Sequence, residues 1–301
     1  MMPYTVDRGP LPLPLPAVPT IRPMRREDDI AVHEVSVITF ADLTERLHEP
    51  PPPPPRLMPA IVRIQQLLDR DPGGAWVAEE DGGLVGAALA LDREGLWGLS
   101  LLVVLPEHQS AGIGRALLER SLEYAGGGER GAVILASPDP RALRAYARAG
   151  FEAHPCFSAS GRPTVTEPPA SVRDGDESDF ELAEAVDRAV RGAPHGSDIG
   201  AYLRSHSRML VVPDRGYVVV GGGGIKLLAA LDDDAARDLL LAALAATPPG
   251  EEVEVDWITS AQQWAVAPVL DAGLDLKPAG AVFVRGDVGT FRPYLPSGAY
   301  L

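Results

Sequence analysis

Leu102-Val103-Val104-Leu105-Pro106-Glu107-His108-Gln109-Ser110-Ala111-Gly112-Ile113-Gly114-Arg115-Ala116-Leu117-Leu118 is the run that decides how this chain is read. It closes an apolar stretch over 97–105, which reads as a strand buried on both faces. Pro106 ends that strand. Ile113, Leu117, Leu118 and Leu122 then recur at helical spacing, predicting a helix over 113–125. A glycine-containing turn from strand into helix offers unpaired backbone N–H groups at the positive end of the helix dipole. The pattern predicts a pyrophosphate cradle. Gly112 and Gly114 let the backbone approach the anion, and Arg115 adds a charge. It is not a P-loop, which needs Gly-Lys-Ser/Thr, and it lacks the longer dinucleotide fingerprint.

Around this run the hydrophobic period changes in a fixed order. A helical pattern over 27–47 is followed by Pro50–Pro55 and a second helix over 57–69. Six prolines make a stiff spacer. Ala75–Glu80 and Leu84–Asp92 read as a hairpin turned at Asp81-Gly82-Gly83. After the central run come a strand at Ala132–Ala136, a helix at Pro140–Ala149 and a strand at Phe151–Ser158. A polar, Pro-rich passage over 161–170 is a plausible linker, and the order then recurs. Ser171-Val172-Arg173 and the helix Phe180–Val190 echo Thr20-Ile21-Arg22 and the helix after it. Tyr217–Val220 and Ile225–Leu231 form a hairpin, with helix Ala235–Ala246, strand Val253–Ile258 and helix Ala261–Ala272 behind it. The expectation is a mixed α/β chain of two tandem copies, 20–160 and 171–301, after a Pro-rich lead-in over 1–19.

Composition sets the limits. The chain has 301 residues, enough for two domains, with 46% hydrophobic residues and a net charge of −15. Residues 1–166 carry −5 and residues 167–301 carry −10. So acidic a surface argues against nucleic acid as a partner and mildly favours a cationic one. Cys156 is the single cysteine, so no internal disulfide or thiolate cluster can form. The six histidines show no metal-ligand spacing. No apolar stretch approaches the ~20 residues that span a bilayer, and no signal peptide is visible. A cytoplasmic protein is expected. The two lysines among 27 basic residues, with 31 Gly and 30 Pro, fit a GC-rich bacterial coding bias.

In this context the run resembles the GCN5-related N-acetyltransferase superfamily. The superfamily's Gln/Arg-x-x-Gly-x-Gly/Ala motif reads Gln109-Ser110-Ala111-Gly112-Ile113-Gly114, after a Leu-x-Val-x-Pro at Leu102–Pro106. Its later Asn-x-x-Ala-x-x-x-Tyr-x-x-x-Gly-Phe reads Asp139 to Phe151, with Ala142, Tyr146, Gly150 and Phe151 in register and Asp139 in place of Asn. The resemblance implies acetyl-CoA as cofactor, held by Leu102, Val103, Val104 and the loop from Gln109 to Arg115. The central strand would splay from its neighbour. Leu102 and Val104 would hydrogen-bond the pantetheine arm, and the Val104 N–H would lie near the oxyanion. Tyr146 would protonate the leaving thiolate; its competing reading is a core aromatic. A small-molecule amine would attack the thioester directly, the protein being a monomer or homodimer.

A carboxylate base is missing where members of the superfamily often carry one: Trp97-Gly98-Leu99-Ser100 stands there. Ser100, His108 and Glu79 are weak substitutes. The apolar ending Pro296–Leu301 suggests a packed C-terminus, and resemblance to the aminoglycoside-acetylating tandem members would let the Leu301 carboxylate serve as base. The second copy lacks the cradle, with Asp232-Asp233-Asp234 at the corresponding helix start. Its Gly221–Gly224 run reads as a hairpin turn, and His195–Asp198 as a loop with an Asp helix cap. Two other activities stay open: a non-catalytic acyl-CoA-binding or regulatory module, and a protein N-terminal acetyltransferase.

Overall fold

The computed structural model describes residues 19–49, 57–125 and 130–301. The expected lead-in before residue 19, the proline spacer over 50–55 and the glycines at 126–128 lie outside the described residues. In chain order the elements are β1 (Thr20–Pro23), α1 (Asp29–Leu47), α2 (Leu57–Arg70), β2 (Ala75–Glu80), β3 (Gly83–Arg93), β4 (Leu96–Val104), α3 (Ile113–Glu123), β5 (Gly131–Ala136), α4 (Pro140–Arg148) and β6 (Glu152–Gly161). They continue as β7 (Arg173–Gly175), α5 (Phe180–Val190), α6 (Ser197–Arg204), β8 (Arg208–Val212), β9 (Gly216–Gly221), β10 (Gly224–Ala230), α7 (Asp233–Ala245), β11 (Val253–Ile258), α8 (Gln263–Asp271), β12 (Asp275–Gly286) and β13 (Tyr294–Leu295).

All these strands form one mixed sheet, in the order β1-β2-β3-β4-β5-β12-β6-β11-β10-β9-β8-β7, with β13 joined to β10. Alternation along the strands sorts side chains to two faces. Val77, Ala87, Leu89, Leu91, Leu101 and Val103 face α1 and α2. Their neighbours Ala78, Ala88 and Val104 face α3. The α1–α2 cluster runs on through Val186, Ile199, Met209, Tyr217 and Leu227, so one core spans both copies. A second cluster beneath α7 and α8 is built mostly from Ala, Leu and Val, with Ile258 and Trp264.

The sheet does not break at the linker. β6 leaves the first copy to pair with β11 of the second, while β12 of the second returns between β5 and β6. Val282 and Phe283 of β12 sit opposite Leu135 and Ile134 of β5. Each copy thus completes its sheet with a strand of the other, β12 in the first and β6 in the second. The Gly221–Gly224 run is a hairpin turn, with Gly222 and Gly223 at positive φ between β9 and β10.

Candidate active site

β4 and β5 run parallel, but their pairing stops at Leu99 opposite Ile134. Beyond that point β5 bonds only to β12, and β4 continues alone beside β3. On the β3 side Leu101 pairs with Leu89 and Leu99 with Ala90, so Ser100 is an extra residue, a β-bulge. The bulge and the lost pairing open a gap between β4 and β5. Leu105 N–H bonds the Val85 carbonyl at 2.9 Å. By alternation along an antiparallel ladder, the backbone groups of Val103 therefore face β3 and those of Leu102 and Val104 face the gap. This is the splay that the family resemblance implies. One detail differs: the Val104 carbonyl is already taken, accepting from Gln109 Nε2 at 2.8 Å and Thr39 Oγ1 at 3.2 Å. Only the N–H of Val104 is left for a ligand. Gln109 Oε1 lies buried with no donor, an orphan acceptor at the mouth of the gap.

The loop from Gln109 leads into α3. Ser110 has φ +65° and Gly112 φ +90°, and a Cβ on Gly112 would meet nothing within 4 Å. No side chain caps α3. The N–H groups of Ile113, Gly114 and Arg115 precede the first intrahelical bond, from Ala116 to Gly112, and aim outward unpaired. Arg115 is exposed, with Glu119 3.7 Å from it. A loop with left-handed residues feeding an uncapped helix makes an anion cradle. Two other helix starts are closed: the Asp139 carboxylate accepts from Arg141 N–H at the start of α4, and Asp232 accepts from Asp234 and Ala235 N–H at the start of α7.

The second copy repeats the splay but fills it. β10 pairs in parallel with β11 only at Gly224 opposite Glu254, and β13 then bonds β10 along the vacated edge, Leu228 to Leu295 and Ala229 to Tyr294. Together with the Asp232 cap and its Arg215 partner, this leaves neither a free strand edge nor a free helix start there. The carboxylates at 232–234 were legible as a signal. The plug by Tyr294 and Leu295 was not, because two residues have no periodicity.

Tyr146 is buried on α4, edge-on to Phe283 of β12 with ring centroids 5.5 Å apart. Its hydroxyl bonds no group among the described residues, and burial pushes its pKa up. Leu301 is also buried; its side chain occupies the space where a Cβ on Gly98 would project from β4. Its carbonyl oxygen accepts from the Tyr294 hydroxyl at 2.8 Å and lies 2.6 Å from His195 Nε2. The other His195 nitrogen meets Asp187 Oδ2 at 2.9 Å, and Tyr217 O–H donates to Asp187 Oδ1 at 2.6 Å. Burial opposes ionisation of Asp187, but His195, Arg191 and the Tyr217 bond hold its pKa below the usual range. The three weaker base candidates are engaged elsewhere. Glu79 pairs with Arg22 at 2.7 Å, His108 with Glu80 at 2.8 Å, and Ser100 O–H donates to the Ala299 carbonyl at 2.7 Å.

One expectation is corrected. Asp198 does not cap α6, whose N-cap is Gly196 without a side-chain bond. Its carboxylate is buried and joins Arg93 Nε at 2.8 Å, Arg70 Nη1 at 3.1 Å and Gln66 Nε2 at 3.2 Å across the contact between the copies. Two arginines from the first copy outbid the α6 N–H groups for it.

Residues 40–151 match the profile of the Acetyltransferase (GNAT) family. No curated protein matches the chain in sequence. Among solved structures, a provisionally described acetyltransferase from Pyrococcus horikoshii aligns with TM-score 0.77 at 16% identity, over 98% of this chain and 99% of that one. A GCN5-related N-acetyltransferase from Sphaerobacter thermophilus aligns with TM-score 0.57 at 15% identity, over 89% and 95%. A tandem GNAT protein from the clavulanic acid biosynthesis pathway gives TM-score 0.58 at 15% identity, over 89% and 98%. At such identities the likeness is one of fold. The motif-bearing region, residues 40–151, thus matches the Acetyltransferase (GNAT) family, and the whole chain shares the fold of a tandem GNAT structure.

Proposed function

We propose that the chain is an acetyl-CoA-dependent N-acetyltransferase that acetylates a primary amine of a small molecule by direct attack in a ternary complex. The observation that carries this reading is the open β4–β5 gap ending beside the uncapped start of α3. The cofactor would supply an activated acetyl thioester. Its pyrophosphate would lie on the N–H groups of Ile113, Gly114 and Arg115. Its pantetheine amides would meet the Leu102 backbone, with Gln109 Oε1 as a further acceptor. The Val104 N–H is a preorganised donor for charge developing on the acyl oxygen, often the largest single catalytic effect. Tyr146 is assigned the proton donated to the leaving sulfur. A phenol whose pKa is raised stays protonated, as a general acid must. A free carboxylate at Leu301, seated over Gly98, would take the amine proton, with Tyr294 and the His195–Asp187 pair fixing its position.

A non-catalytic acyl-CoA-binding module is the second reading. It is favoured by the absence of a carboxylate side chain over Trp97–Ser100. Thiol release measured across an amine panel, beside calorimetry with acetyl-CoA, separates the two. Turnover on any amine supports the enzyme; tight binding with no turnover supports the module.

A further inference from the structure

Arg63 on α2 is a cation without a counterion. Arg63 as a residue is half-buried, and its Nη1 donates to Ser100 Oγ of β4 at 3.3 Å. It has no ion pair among the described residues, although the chain carries −15 and most of its arginines are paired. Ser100 leaves it little: that hydroxyl already donates to the Ala299 carbonyl, so it only accepts from Arg63. The charged groups around it come from three sides. The Tyr202 and Tyr300 hydroxyls stand near it from α6 and the C-terminal segment. Arg70 and Arg204 share the surroundings of Tyr300. Arg70 is held by Asp198, while Arg204 is exposed and forms no ion pair among the described residues. Asp198 shares the surroundings of Tyr202 and Tyr300, and it is committed to Arg70 and Arg93. Burial lowers the Arg63 pKa, the sign of a charge desolvated without compensation.

A partly buried, unpaired cation costs stability unless something pairs with it. Its position says what that partner is. Ser100 is the bulge residue that begins the splay, two residues and about 7 Å along the strand before Leu102. Arg63 and Leu301 lie on the α1–α2 face of the sheet, the opposite face from α3 and the cradle. An anion on Arg63 would therefore belong to the acceptor rather than to the cofactor.

We propose that Arg63 is a specificity-determining residue that receives a carboxylate or phosphate carried by the acceptor amine, making the preferred substrate class an anionic amine rather than a polycation. This rests on the N-acetyltransferase reading above. It also runs against the net charge, which by itself favours a cationic partner: the local site and the overall surface point in opposite directions.

The test uses matched amines that differ only in the anion: lysine against cadaverine, γ-aminobutyrate against propylamine, and phosphoethanolamine against ethanolamine. With acetyl-CoA saturating, kcat/KM of at least one anionic amine is expected to exceed its neutralised partner by tenfold or more. The first two pairs report a carboxylate site and the third a phosphate site. In Arg63→Gln the anionic-to-neutral ratio is expected to fall at least tenfold, mostly through KM, and Arg63→Lys to restore part of it; a thermal melt confirms that both variants fold. Equal use of each pair, preference for cadaverine, or a ratio unmoved in Arg63→Gln overturns the proposal. If no amine is acetylated, the N-acetyltransferase reading fails, and calorimetry of the same compounds on the coenzyme A-loaded protein still decides the anion site. Binding of γ-aminobutyrate or phosphoethanolamine that Arg63→Gln abolishes would uphold it, and no such difference would overturn it.

Discussion

Tyr146 belongs to an apolar cluster with Trp97, Ile134, Phe151 and Phe283, and its hydroxyl has no partner among the described residues. Tyr146→Phe keeps the edge contact with Phe283 and removes only the proton donor. It is expected to lower kcat by roughly 10²–10⁴-fold and leave the acetyl-CoA dissociation constant nearly unchanged. A core aromatic without a catalytic part would show wild-type kcat in the Phe variant, and damage only in Tyr146→Ala, by about 3–5 kcal/mol of stability. Asp256 on β11 offers a second test at this scale. Burial, then Glu254, raises its carboxyl to about 6, against the opposing pull of Lys277 and Lys226. A carboxyl raised on folding destabilises the native state above its folded pKa, and the penalty is relieved as pH falls from about 6 toward 4. Asp256→Asn is therefore expected to raise stability at pH 7, by roughly 1–3 kcal/mol, and to make no gain near pH 4. Urea melts across that range check it. At the residue scale the sequence was legible where a motif names a position, as for Gly112 and Tyr146. It was not legible at Arg63, because an arginine without a partner looks like any other until its surroundings are folded.

Among the elements, periodicity placed α5 and β11 at their observed limits and most others within two residues. It failed where pattern is weak or shared. β8, Met209-Leu210-Val211-Val212, is too short an apolar run to distinguish from its neighbours, and β12 hid behind Pro278 and Gly280. The β4–β5 splay came from resemblance, and the structure gives it a cause: a bulge at Ser100 on one side and β12 drawing β5 away on the other. Asp198 shows why cap signals mislead when a stronger partner is close. Its carboxylate holds Arg93, whose other ion pair is with Asp71 at 2.9 Å. Asp198→Ala would leave Arg93 half-paired and Arg70 unpaired in the contact between copies. It is expected to lower stability by about 3–5 kcal/mol, read as a shift in the urea midpoint. A loss below 0.5 kcal/mol would show the network to be solvated rather than structural.

The whole molecule is asymmetric by construction. Two copies share one sheet and exchange β6 and β12, yet the first keeps an open gap with an uncapped helix start beside it. In the second, β13 lies along the strand edge and Asp232 caps the helix. The order of elements revealed the repeat, but strand exchange depends on pairings between distant segments that no local pattern encodes. The claim that follows is that acetyl-CoA binds once per chain, on the first copy. Calorimetric titration of the wild-type chain and of Gly112→Asp tests it most directly. One acetyl-CoA per chain is expected for the wild type, with binding lost in Gly112→Asp, which puts a carboxylate at the anion's position, while its thermal melt stays cooperative. Two sites per chain, or a folded Gly112→Asp variant that binds like wild type, would contradict the account.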